Sequence, residues 1–181
     1  AGLAIFMAGA GQIASTSVSR EGSGFELVAA LPATAAPQVA ARLIAAAPFA
    51  LVSLALAVAA AYWAVRPPAW ALLSGAGVGL VGCWPALAGS LWVDLLRPAT
   101  RSDSPQQAMK GNINSLWSML MALAVLAAGS GAGWLTLRLA ADIRWTVAAA
   151  VVVLAMLGAV LTQLALRQAE VVFGNAGELG R

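Results

Sequence analysis

The apolar residues of this chain form long stretches that contain no charged residue. These stretches cover residues 1–19, 43–65, 67–93, 111–137 and 145–166. A hydrocarbon core of about 30 Å requires roughly 20 apolar residues in a helix. The pattern therefore predicts an all-α, polytopic transmembrane bundle of about five hydrophobic helices, forming a single transmembrane domain over residues 1–181.

Prolines and charged residues set the predicted ends of the helices. Pro37 and Pro105 each suit a first helical turn, and residues 66–68 suit a short turn between antiparallel helices. The predicted helices cover approximately residues 1–18, 38–65, 69–96, 105–138 and 144–167, with loops at 19–37 and 97–104 and a polar tail at 168–181. Because the chain opens at Ala1 within an apolar stretch, we expect the first helix to be truncated and the chain to be a fragment.

Composition supports the membrane class. Hydrophobic residues make up 61% of the chain and charged residues 9%, whereas a globular domain has about 25% charged residues. The isoelectric point near 10.0 results from a net charge of only +3. This charge is typical of loops facing anionic lipid and cytoplasm, so we expect the lipid bilayer as surroundings and no nucleic acid as partner.

Lysine and arginine are distributed unevenly between the two sides of the predicted bundle. The side with the longer loops and the tail carries seven of them: Arg20, Arg42, Arg97, Arg101, Lys110, Arg167 and Arg181. The side with the short turns carries three: Arg66, Arg138 and Arg144. Since cytoplasmic loops carry the excess of positive charge, the sequence predicts a multi-pass membrane protein with its longer loops in the cytoplasm.

The predicted spans lack ionisable residues at membrane depth. Asp94 lies three residues from Arg97, and Arg138 lies close to Asp142, so we interpret both as interfacial ion pairs at helix ends. Ion-coupled carriers need a charged or titratable group within the membrane. The pattern therefore disfavours ion coupling for this segment, although residues upstream of Ala1 would decide the matter for a longer protein.

No motif predicts an enzyme. The chain contains no histidine, one cysteine and no Walker A sequence, so neither a metal centre, nor a bound cofactor, nor catalytic residues are expected. Two glycine-rich stretches lie inside apolar spans, where a phosphate-binding loop would place anions in hydrocarbon. We interpret the pairs Gly75 with Gly79 and Gly129 with Gly133 as close helix-packing positions, with a hinge along a substrate path as the alternative.

Two polar segments carry the most specific patterns. The first reads Ser19-Arg20-Glu21-Gly22-Ser23-Gly24-Phe25-Glu26-Leu27, followed by Leu31-Pro32. The second reads Asp94-Leu95-Leu96-Arg97-Pro98, followed by Pro105-Gln106-Gln107-Ala108-Met109-Lys110-Gly111-Asn112-Ile113-Asn114. Together they resemble the permease subunits of bacterial ABC-2-type exporters, in particular the large ABC-exporter membrane proteins. The resemblance covers residues 18–115 directly and the remainder only by hydropathy.

The resemblance implies a permease in the bacterial inner (plasma) membrane that moves a substrate outward. A separate cytoplasmic ABC ATPase would hydrolyse ATP, so the chain itself would not be an enzyme, and a second permease copy is a further possible partner. The implied ATPase-coupling residues are Arg20, Glu21, Gly22, Phe25, Glu26, Leu31 and Pro32. A second implied contact comprises Arg97, Pro98, Gln107 and Lys110. The alternatives are a secondary carrier, a non-transporting membrane scaffold and, for the loops, solvated segments that meet lipid headgroups.

Overall fold

The computed structural model describes residues 1–19, 21, 34–97, 113–140 and 142–179. Within these ranges the chain forms helices and no strand: α1 (Gly2–Ala10), α2 (Gln12–Ser15), α3 (Ala35–Val65), α4 (Ala69–Leu96), α5 (Ile113–Ala140) and α6 (Ile143–Leu179). Four of these helices, α3 to α6, are long and apolar enough to cross a membrane. The prediction of an all-α, multi-pass membrane bundle is confirmed.

The four long helices alternate in direction. α5 and α6 are antiparallel, since Gly133 approaches Thr146 and Gly129 approaches Leu154. The bundle therefore has two distinct ends. The loop end contains Ser19 and the α3, α4 and α5 termini at Ala35, Leu96 and Ile113. The turn end contains the connections at residues 66–68 and 141–142.

The N-terminal segment is two short helices rather than the single predicted helix over residues 1–18. The break falls at Gly11, whose φ of −61° and ψ of 130° are extended and whose N–H donates to the Met7 carbonyl. α1 packs among α3, α4 and α5, where a Cβ added at Gly9 would overlap the Cβ of Ala122. Small residues thus allow this segment to occupy the interior of the bundle.

α6 continues well beyond the end predicted near residue 167. Ala165, Ala169 and Phe173 recur every fourth residue and are buried in an apolar cluster with Val18, Val39, Leu91 and Leu95. Side chains four residues apart lie on one face of a helix. This stripe therefore continues the packed part of α6 past Arg167 to Phe173. Residues 168–179, which were predicted to be tail, are helical.

The predicted glycine pairs differ in their surroundings. A Cβ added at Gly79 would lie 2.7 Å from Leu54 Cδ1, and one at Gly129 would lie 3.1 Å from Leu154 Cδ2. At Gly133 the nearest atom, Thr146 Cγ2, is at 3.4 Å, and at Gly75 no atom lies within 4 Å. The close approach of helices therefore occurs at Gly79 and Gly129, and Gly75 faces open space.

Candidate functional site at the loop end

Asp94 is a fully buried carboxylate near the C-terminal end of α4. Its Oδ2 accepts hydrogen bonds from the backbone N–H groups of Val18 (2.7 Å) and Ser19 (3.2 Å). Its Oδ1 accepts from the Ser19 hydroxyl and from Asn114 Nδ2 at 3.1 Å. An isolated charge in an apolar interior is very costly. Here four donors meet an acceptor-only group, so its hydrogen-bonding capacity is used.

These bonds join three distant parts of the chain. Ser19 is 75 residues from Asp94 in sequence, and Asn114 is 20 residues from it. Asn114 Nδ2 also donates to the backbone carbonyl of Arg97 at 2.9 Å. We call Val18, Ser19, Asp94, Asn114 and the Arg97 carbonyl the Asp94 cluster. It fixes the end of the N-terminal segment, the end of α4 and the first turn of α5 to one another.

The local backbone explains why a carboxylate is needed here. α2 ends at Ser15, and the buried backbone N–H groups of Val18 and Ser19 lie beyond its regular hydrogen-bond ladder. Buried backbone donors require an acceptor, and Asp94 provides it from a neighbouring helix. The predicted pairing of Asp94 with the Arg97 guanidinium is wrong for the described residues, because Arg97 joins the cluster through its carbonyl group.

A second cluster lies at the same end and consists of Glu21, Gln38, Arg42 and Phe173. Arg42 Nη2 forms an ion pair with Glu21 Oε1, with side-chain exposures of 11% and 23%. Arg42 Nη1 donates to the carbonyl and side-chain oxygens of Gln38, each at 3.3 Å. The guanidinium also lies 5.2 Å from the centre of the Phe173 ring. We call this group the Arg42 cluster.

Glu21 lies outside the candidate spans, and its pKa is raised above the usual value of 4.5. Burial is the main cause, because removal from water disfavours the charged carboxylate. The Arg42 guanidinium acts in the opposite direction through its charge and its hydrogen bond. The ion pair therefore offsets only part of the cost of burying Glu21.

Together the two clusters connect the long helices at the loop end. The Asp94 cluster bonds α4 to α5, and the Arg42 cluster brings α3 against Phe173 of α6. Gln168 Nε2 of α6 donates to the Leu95 carbonyl of α4 at 3.4 Å. Movement of one helix at this end therefore strains bonds to its neighbours.

The predicted coupling residues fall largely outside the described ranges. Of the first set, Glu21 is described and belongs to the Arg42 cluster, whereas Arg20, Gly22, Phe25, Glu26, Leu31 and Pro32 lie outside. Of the second set, Arg97 is described and contributes its carbonyl to the Asp94 cluster, whereas Pro98, Gln107 and Lys110 lie outside.

Sequence reasoning missed the residues that form the core of the site. Ser19, Asp94 and Asn114 all belong to the two polar segments, but no local pattern indicates that they meet. Arg42 carried a weak signal, since it is a charged residue one helical turn after Gln38 and directly before a charge-free stretch. The signal available for the other three was their position at the ends of the apolar spans.

The turn end shows no comparable cluster among the described residues. The Arg138 guanidinium lies 5.3 Å from the centre of the Trp134 ring, and Asp142 Oδ1 accepts from the Arg144 backbone N–H at 2.9 Å. The predicted ion pair between Arg138 and Asp142 is not formed in this part of the structure. Arg138 and Asp142 each contact a residue close to them in sequence instead.

Hydroxyl groups inside the spans mostly bond to nearby carbonyl groups. Ser53, Ser74 and Thr136 each donate to a carbonyl three or four residues earlier in the same helix. Ser90 donates to its own helix and also to the Gly9 carbonyl at 2.9 Å. The buried Ser118 hydroxyl has no hydrogen-bond partner among the described residues. Ser90 thus adds a bond between α4 and α1, one helical turn from Asp94 toward the turn end.

Comparison with known proteins adds no identity. A scan of protein-family models and searches of curated proteins and of solved structures found nothing that matches this chain. The case for a function therefore depends on the loop end itself.

Proposed function

We propose that the chain is the membrane-spanning permease part of an ATP-driven exporter in the plasma membrane. In this proposal the loop end faces the cytoplasm and couples to a separate ATPase subunit. The observation that carries the proposal is the Asp94 cluster, in which Ser19 of the first polar segment meets Asp94 and Asn114 of the second. The two segments that resemble exporter permeases are thus joined at one buried point.

Coupling to a soluble motor requires loops that transmit displacement to helices without first absorbing it. Residues 20–33 follow Ser19 directly, and residues 98–112 connect Arg97 to Ile113. Ser19 and the Arg97 carbonyl both take part in the Asp94 cluster. A displacement applied to either segment would therefore reach the buried ends of α4 and α5 through very few backbone bonds.

The test is co-expression of the chain with a candidate cytoplasmic ABC ATPase subunit. We expect co-purification and stimulation of ATP hydrolysis by the permease. Reversing the charges of Arg20 and Glu21 should reduce association. If that double reversal left both association and ATPase stimulation intact, the coupling assignment would be wrong.

A second pair of variants separates contact from transmission. Asn114→Ala removes two buried bonds of the Asp94 cluster, so the ATPase should still bind while transport per ATP hydrolysed falls. Ser53→Ala is the matched control, because its hydroxyl bonds only to the Phe49 carbonyl of the same helix at 2.8 Å. If the two variants transported equally per ATP hydrolysed, the Asp94 cluster would have no part in the coupling.

A secondary carrier is the second candidate, and Asp94 is the observation that favours it. A carboxylate buried within a helix that can span a membrane is a common element of ion-coupled transport. The carrier proposal predicts substrate movement driven by an ion gradient in vesicles without ATP, and loss of that movement in Asp94→Asn. ATP-dependent transport that ignores the ion gradient would exclude it.

A further inference from the structure

An apolar groove lies between α4 and α5 at the loop end, next to the Asp94 cluster, whose Asn114 forms part of its lining. Its volume is about 430 Å³, and its lining includes Trp92, Leu96, Arg97, Trp117, Leu120 and Ala124. This size falls in the range of small-molecule sites, about 300–1,000 Å³. The groove opens sideways, since Leu96, Trp117 and Leu120 are each roughly half exposed.

The groove has the length of one membrane leaflet. On α5 its lining extends from Asn114 to Ala124, and a rise of 1.5 Å per residue makes this about 15 Å along the helix. The hydrocarbon core of a bilayer is about 30 Å thick. The groove is therefore about as long as one leaflet of the hydrocarbon core is thick.

Charge and polarity are concentrated at the mouth of the groove. Arg97 is exposed there, at the C-terminal end of α4, and the rest of the lining is apolar apart from Asn114. Asn114 is buried and already donates to Asp94 and to the Arg97 carbonyl. Among the described residues that line the groove, Arg97 is thus the group that can meet an anionic headgroup.

We propose that this groove binds an anionic phospholipid, with one acyl chain between α4 and α5 and the phosphate at Arg97. Trp92 and Trp117 line the groove, and tryptophan is enriched where chain and headgroup meet. Arg97 is the one charged residue among the described residues that line the groove. Charge complementarity therefore favours an anionic lipid. This site is independent of the ATPase proposal.

The test uses a variant of the full chain that keeps Trp117 and replaces the other six tryptophans with phenylalanine. It is reconstituted in phosphatidylcholine vesicles and titrated with phosphatidylglycerol or phosphatidylcholine brominated on the acyl chain, which quenches nearby tryptophan. We expect half-maximal quenching by phosphatidylglycerol at an about fivefold lower mole fraction, since one arginine near an anionic headgroup contributes on that scale. A matched variant keeping only Trp84, which lies mid-way along α4 away from charged residues in sequence and is 43% exposed, should show no preference.

Two further variants locate the lipid, and circular dichroism confirms that each folds. Arg97→Gln should abolish the preference, whereas Arg144→Gln at the turn end should leave it intact. Ala124→Phe should reduce quenching by both lipids, because it fills the deep end of the groove. Equal quenching by both lipids, or a preference that survives Arg97→Gln, would overturn the proposal. A third result would also overturn it. If Leu120→Cys formed disulfide-linked dimers in vesicles and neither lipid quenched Trp117, the occupant of the groove would be a second copy of the chain.

Discussion

The two ends of the bundle are held together by different means. At the turn end, residues 66–68 join α3 to α4 and residues 141–142 join α5 to α6, and the hydrogen bonds there are local, as between the Arg66 N–H and the Tyr62 carbonyl. At the loop end, residues 20–33 and 98–112 separate the segments, and buried side chains bond residues 20 to 76 positions apart. Longer connections leave more chain entropy to overcome when their ends are brought together.

The comparison indicates where substitutions should matter. A covalent turn keeps two helices adjacent whatever its side chains are, whereas the loop end depends on a few buried polar groups. Large side chains at the turn end are mostly exposed, such as Leu139 at 78% and Trp63 at 79%. Side-chain changes should therefore cost stability at the loop end and little at the turn end.

The largest effect is expected for Asp94→Ala. The substitution removes the Asp94 acceptor of the buried Val18 and Ser19 N–H groups, while Asn114 Nδ2 keeps the Arg97 carbonyl. Each buried group left unsatisfied costs about 1–3 kcal/mol. We expect a loss of about 3 kcal/mol or more in the free energy of unfolding, measured in detergent micelles by denaturant titration. Asp142→Ala at the exposed turn end is the control. It removes only the cap bond to the Arg144 N–H at the start of α6 and should cost about 1 kcal/mol. Equal losses would contradict the difference between the ends.

A smaller effect is expected within α5, where Asn114 lies near the loop end and Thr136 lies near the turn end. Asn114→Ala removes bonds to Asp94 and to the Arg97 carbonyl and should cost about 1–2 kcal/mol. Thr136→Ala removes only bonds to carbonyl groups of its own helix and should cost less than about 0.5 kcal/mol. Combining Asn114→Ala with Asp94→Ala should cost less than the sum of the two, because both act on one cluster. Additive losses would show that the bonds are energetically independent.

Glu21 makes the loop end sensitive to pH in a defined direction. Its pKa is raised in the folded protein above the usual 4.5, so the folded state binds this proton more tightly than the unfolded state. The stability contributed by Glu21 is therefore greatest below pH 4.5 and falls as the pH rises from 4.5 to the raised pKa. The free energy of unfolding of the parent should therefore fall relative to that of Glu21→Gln as the pH rises through this window. Denaturant titrations of both proteins at several pH values measure this difference.

The matched control for this measurement is Glu170→Gln, which removes an exposed carboxyl on α6. A parent that gains stability relative to Glu21→Gln as the pH rises above 4.5 would contradict the assigned direction. Such a gain would mean that the Arg42 charge outweighs burial.

The sequence predicts the fold better than it predicts the loop end, for a physical reason. Membrane spans follow from the length of apolar stretches between charges, because the bilayer thickness is fixed. The break at Gly11 and the continuation of α6 past Arg167 depend on which neighbours each face meets. Asp94 resembles an interfacial residue in the sequence, since Arg97 follows three positions later. Its burial depends on Ser19 and Asn114, which only the folded bundle brings to it.

The smallest effect is expected at the turn end, for Arg138→Gln. The Arg138 guanidinium lies over the exposed Trp134 ring, and an exposed cation–π contact contributes about 0.5–1 kcal/mol. We expect a loss at or below this range, together with a change in the emission of a variant that keeps only Trp134. Arg42→Gln is the comparison at the loop end, where the guanidinium contacts Phe173 and also pairs with Glu21. Because that side chain is mostly buried, its removal should cost more than removal of Arg138. A larger loss for Arg138→Gln would reverse the contrast between the two ends.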